Sequence, residues 1–195
     1  RSSSAASDVY KRQDFAINTN LCIPDKLFEN VMGKLKRLVI EKKIKRLQLY
    51  TSAEAHGDAC NYIRYGMDYD KWYNNCRWII GNIPDVDEHN PTSLTIMSTV
   101  NLLSLPSYTK FIQDVSLLKK EASFNLGNPR LYERATPVNC PVRVDFPYLR
   151  NPEFLTVFLY QNPDYKLEGK KWIEDAIFAA KMGGFNVFEL SLIHI

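Results

Sequence analysis

Short apolar runs alternate along this chain with longer amphipathic stretches, and that alternation is what most restricts its fold. Residues 15–20 form a short apolar run that ends in polar Thr19 and Asn20. From Pro24 to about Glu41, Leu27, Phe28, Val31, Met32, Leu35, Leu38 and Val39 recur at helical spacing. Residues 44–50 read as a second strand and 51–58 as a small polar loop containing Gly57. Asp68 is placed to cap a helix whose inner face carries Tyr69, Trp72, Tyr73, Cys76, Ile79 and Ile80. A loop at 81–91 leads to a third strand at 94–100. Pro106 then opens a helix with Tyr108, Phe111, Ile112, Val115 and Leu118 inward. Residues 121–141 show little periodicity and read as a long loop. Runs at 142–146 and 154–160 read as strands, and 167–182 reads as a helix stopped by Gly183 and Gly184.

The resulting order is β-α-β-α-β-α followed by β-β-α. Strands that alternate with helices pair in parallel through right-handed crossovers, which predicts an α/β fold. Ligands of such folds sit at the carboxyl ends of strands. The loops at 18–20, 51–57 and 98–104 are therefore the places to look for chemistry.

In the middle loop, Ser52 and Glu54 lie two apart, so extended backbone sends both to one side. A hydroxyl and a carboxylate together suit a sugar diol or an α-amino group; a pair that merely satisfies its own loop fits the same spacing. Arg64, between Tyr62 and Tyr65, can clamp a carboxylate through two N–H groups, or lie over the tyrosines, or pair with Asp68 or Asp70. Asn101 ends its strand where a ligand would sit, and a turn asparagine would stand there as well. His56 suits acid–base work or plain solvation. The basic residues from Lys34 to Arg46 suit a solvated helix face or an acidic partner. The aromatic residues from Tyr62 to Trp78 have helical spacing and read mostly as core.

Several classes are disfavoured. Cys22, Cys60, Cys76 and Cys140 contain no C-x-x-C pair, so neither a thiolate metal site nor a disulfide framework is expected. Scattered thiols of this kind point to a cytoplasmic setting. No apolar run approaches the roughly 20 residues of a bilayer span, and no membrane partner is expected. No G-x-S-x-G elbow or glycine-rich phosphate loop occurs.

The two ends have an unusual property. Residues 8–13 can be encoded by GAT GTG TAT AAG AGA CAG, and residues 190–195 by the reverse complement of that string. Both resemble the mosaic end of a transposon-based sequencing adaptor, so 1–13 (expected to be disordered) and 190–195 are expected to be adaptor-derived, with 14–189 as the natural segment. Setting the ends aside removes Arg1, Asp8, Lys11 and Arg12 and lowers the net charge from +3 to +1. So small an excess gives no support for a nucleic-acid partner.

The ordered motifs resemble those of radical S-adenosylmethionine (SAM) enzymes. Ile17-Asn18-Thr19-Asn20 is similar to the end of that family's third strand, and Leu47 through Ala55 to its fourth strand with a Ser-x-acid ending. Tyr62-Ile63-Arg64-Tyr65-Gly66 resembles the element that follows, and Ile96 through Asn101 the fifth strand. Asp145 to Leu149 and Pro152 to Leu155 continue the likeness, which is greatest to members with a C-terminal twitch or SPASM-type auxiliary domain. The resemblance implies a partial (β/α) barrel, with this segment as the C-terminal portion of the radical SAM core, a truncated TIM-like barrel. It implies that Ser52, Glu54, Arg64 and Asn101 bind S-adenosylmethionine. It also implies a 4Fe-4S cluster whose C-x-x-x-C-x-x-C ligands lie outside this fragment, an electron donor, and radical chemistry on a substrate, with a peptide or protein as the candidate class. The fragment alone is expected to be inactive. Glu54 stands where many members carry Asp. The alternatives are a cofactor-free (β/α)-barrel hydrolase or lyase, and a non-catalytic α/β interaction domain.

Overall fold

The structure is a computed structural model and describes residues 13–87, 90, 92–125, 141–147 and 163–185. Four strands, β1 (Gln13–Asn18), β2 (Ile44–Ser52), β3 (Ser93–Met97) and β4 (Val142–Asp145), form one parallel sheet in the order β1-β2-β3-β4. Between and after them come α1 (Asp25–Ile40), α2 (Asp58–Ile63), α3 (Tyr69–Asn82), α4 (Leu105–Asn125) and α5 (Pro163–Met182). The expected α/β class is therefore seen.

Spatial order follows chain order without a reversal. Right-handed crossovers then put every connecting helix on the same face of the sheet. The strand residues agree with this arrangement. Ile17, Leu49, Leu94 and Val142 lie opposite one another in register, as do Thr51, Ile96 and Val144. From β2 to β4 these side chains are buried, and β-branched and leucine side chains fill the layer beneath the helices. The alternate positions form a polar row, Asn18–Tyr50–Thr95–Arg143, and next to it Ser52–Met97–Asp145. This second face is only partly buried from β2 to β4.

The core lies between the sheet and the helices. Trp72, Tyr108, Phe111 and Phe146 are its largest fully buried side chains. All five inward positions expected of α4 are buried. Asp68 caps α3 by accepting from Lys71 N at 3.0 Å, as its position in the sequence predicts. Gly184, at φ 73°, closes α5 in a Schellman turn, with Phe185 N donating to Ala180 O and Gly184 N to Lys181 O.

Some boundaries differ from expectation. Thr51 and Ser52 belong to β2 rather than to the loop, because Ala53 N still donates to Met97 O and extends the ladder. The helix α2 begins at the last residue of the expected loop and fills a stretch to which the sequence pattern assigns no element. Gly81 and Asn82 complete α3, and α4 runs on through Asn125. β1 includes Gln13, the last residue of the stretch expected to be disordered, held by its pairing to Ile44. The strand expected at 154–160, His89, Cys140 and both remaining chain ends lie outside the described residues.

Candidate functional site

The carboxyl edge of the sheet gathers the candidate groups. After β2 the chain runs through Ala53, Glu54 and Ala55, all buried, and then turns at Gly57. Gly57 has φ 57°, which a residue without a Cβ adopts without penalty, and α2 starts at the next residue.

Glu54 and Arg64 meet there. Arg64 Nε donates to Glu54 Oε2 at 2.6 Å. The Glu54 side chain is 5% exposed and that of Arg64 35%. Burial pushes the Glu54 carboxyl above its ordinary value, and Arg64 offsets only part of that rise. Of the partners weighed for Arg64, Asp68 is taken by the cap of α3, and neither tyrosine covers the guanidinium. Tyr62 is 81% and Tyr65 105% exposed, so these two leave the aromatic core that Tyr69 and Trp72 join.

Ser52 sits half-buried on the open face, in register with Met97 and Asp145. By the same register Asp145 shares the open face. Asn101 is buried and largely engaged by its own loop: its Oδ1 accepts from Leu103 N and Ser104 N, and its Nδ2 donates to Thr99 O at 3.1 Å. The second N–H of that amide makes no hydrogen bond among the described residues.

The loop after β1 adds strain at the same edge. Leu21 is fully buried with φ 58°, in the left-handed region that bulky residues avoid. Thr19 Oγ1 accepts from Leu21 N, and Asn75 Nδ2 donates to Leu21 O at 2.7 Å, which holds the conformation. Cys22 Sγ lies 3.5 Å from Met67 Sδ, and burial raises its pKa. Among the described residues Cys22, Cys60 and Cys76 are free thiols, and no three His, Cys, Asp or Glu side chains converge as a metal site.

One cluster has no signal in the sequence. Tyr69 Oη donates to Asp114 Oδ2 at 2.8 Å, and His56 Nε2 lies 3.5 Å from the same oxygen. The His56 ring packs on that of Tyr69 with centroids 5.0 Å apart. His56 N also donates to Ser107 Oγ, so the strand-end loop is fastened to α4 at two points. Burial drives the Tyr69 hydroxyl far above its ordinary pKa, and the Asp114 charge adds to this. The three side chains come from segments too distant in sequence for any motif to join them.

Two open hollows lie away from these groups. A cavity of about 300 Å³ opens at the amino ends of the strands near Ile83, Asp85, Thr92 and Leu94. Another of about 590 Å³ lies between α4 and α5, against Trp172 and Phe178. Neither includes Ser52, Glu54, Arg64 or Asn101.

Fold and site together define a parallel α/β protein with a carboxylate–guanidinium pair at the carboxyl edge of its sheet. No family model matches the chain, and no curated protein or solved structure matches it. Among the described residues no helix is long and apolar enough to cross a membrane.

Proposed function

We propose that this chain is part of a radical SAM enzyme core, a partial (β/α) barrel whose open sheet face is the barrel interior. The observation that carries the reading is the grip of buried Glu54 on Arg64 at the end of β2. The grip uses Nε alone. The other N–H groups of the guanidinium make no further bond among the described residues, and they suit the carboxylate of an amino-acid-like ligand. Glu54 then acts through Arg64, as a positioning group. Ser52 supplies a hydroxyl on the same open face for a ribose or amino group, and Asn101 contributes its second amide N–H. The strand order, which never reverses, also favours an arc of a barrel over a doubly wound sheet.

The donor set fits S-adenosylmethionine at Arg64 and Ser52, and more weakly at Asn101. When bound to a reduced 4Fe-4S cluster, that cofactor supplies the radical that abstracts hydrogen from substrate, here proposed to be a peptide or protein. In this reading the cluster ligands lie outside residues 14–189, and an electron donor is required. The polar row Asn18–Tyr50–Thr95–Arg143 would face the substrate.

The coding sequence ahead of Asp14 and the protein it specifies provide the test. A C-x-x-x-C-x-x-C loop before β1 is expected. So is saturable S-adenosylmethionine binding that Arg64→Ala weakens by about tenfold or more. Absence of that loop, or binding indifferent to Arg64, overturns the reading.

A further inference from the structure

We infer that the hollow between the end of α3 and the start of β3 binds a small organic cation, an alkyl- or arylammonium whose charge meets Asp85 and whose apolar body fills the space. The hollow measures about 300 Å³, at the small end of the range of ligand pockets. Ile79, Ile80, Ile83, Leu94 and Pro141 give it apolar walls, and Asp85 is the one ionisable side chain among its lining residues.

Two features set Asp85 apart from an ordinary surface acid. First, it is held in place. Its Oδ1 accepts from Thr92 N at 2.8 Å, and Thr92 Oγ1 in turn donates to Pro84 O at 2.7 Å. These bonds fix the carboxylate against the apolar walls at the amino end of β3. Secondly, its charge is unanswered. Glu54, Asp114 and Glu121 each have a basic side chain within 4 Å, whereas Asp85 has none among the described residues. Its second oxygen makes no hydrogen bond among the described residues either. Burial raises its pKa, and the Thr92 N–H offsets only part of that rise. A carboxylate that has lost water without gaining a cation is destabilising, and a bound cation would offset that cost.

Charge and size together choose the occupant. The lone carboxylate selects a cation, and no basic side chain lines the hollow to hold an anion. A metal ion would call for several oxygen ligands, and no second acid lines the space. The apolar walls suit a hydrocarbon body, and the volume admits a single ring or a short chain rather than a folded segment. Leu94 and Pro141 stand at the amino ends of β3 and β4, opposite the Glu54–Arg64 edge. A ligand here leaves that edge open and acts through the stability of the α3–β3 junction. The inference does not depend on the S-adenosylmethionine reading.

Benzylammonium tests it, with benzyl alcohol and benzoate as the neutral and anionic comparisons, by ligand-observed NMR titration and thermal melts of the full chain. Benzylammonium should bind saturably and raise the melting temperature, at least about fivefold tighter than either comparison. Asp85→Asn keeps an oxygen for Thr92 N and should weaken binding about tenfold. Ile80→Trp should abolish it by filling the hollow. Asp175→Asn, in the hollow between α4 and α5, should leave it unchanged. Three results would overturn the inference: no saturable binding of benzylammonium, benzyl alcohol or benzoate binding as tightly, or an affinity that is unmoved by Asp85→Asn or that Asp175→Asn lowers as much.

Discussion

Arg64 reaches back ten residues to hold Glu54 through Nε at 2.6 Å, and the carboxylate it holds is almost wholly buried. An ion pair alone would lower the carboxyl pKa, yet burial is the larger influence and the net shift is upward. A folded-state pKa raised above the unfolded value means that ionising Glu54 costs stability. That cost appears as pH rises from the ordinary carboxylate value through the raised one. Glu54→Gln keeps an oxygen for Arg64 and removes the buried charge. Urea melts should therefore show the variant gaining on the parent protein as pH rises from about 4 to about 8. A gain as pH falls would show that the ion pair outweighs burial.

Trp72 ties α3 to the end of β2, with its Nε1–H on Thr51 Oγ1 at 2.9 Å and both residues fully buried. Thr51→Val preserves shape but strands the indole N–H. Thermal unfolding should show a loss of about 1–3 kcal/mol. An unchanged melting temperature would mean that the indole finds another acceptor.

Tyr69, His56 and Asp114 form one unit around a single carboxylate oxygen. Tyr69→Phe should cost about 1–2 kcal/mol, because it removes a hydrogen bond to a charged group that is partly wet. Asp114→Asn should cost a similar amount, and the double variant little more than either alone. Additive losses in a double-mutant cycle would separate the two residues.

At Gly183, α5 comes close to α4. A Cβ added there would lie 2.6 Å from the Ser116 Cβ and closer still to its hydroxyl. Gly183→Ala should therefore destabilise by about 1–3 kcal/mol. Ser116→Ala should restore part of the loss by removing the hydroxyl, and Ser116→Gly more of it, since alanine keeps a carbon at 2.6 Å.

What could be read from the sequence follows periodicity. The inward face of α4, the Asp68 cap and the alternation within β2 and β4 are local patterns that backbone geometry imposes, and each is present in the structure. The helix α2 escaped notice because it has six residues and buries only Cys60, too little for a helical period to show. Thr51 read as loop because its polarity hides a strand position. Its hydroxyl is satisfied only by Trp72, 21 residues away. For Arg64 the sequence offered Asp68, Asp70 and the two tyrosines. The structure pairs it with Glu54, because the cap of α3 uses Asp68 and both tyrosines point into solvent.

The sequence by itself therefore determined the α/β alternation, the parallel pairing it requires and the candidate loops at the strand ends, because strand and helix periods are set by backbone geometry within a few residues. Tertiary structure alone decided that the strands stack in chain order, that Ser52 and Asp145 share the open face, and that Arg64 holds Glu54 while His56 and Tyr69 meet on Asp114. Each of those outcomes depends on which elements stack side by side, and a polar side chain buried between elements takes the partner that packing brings within reach.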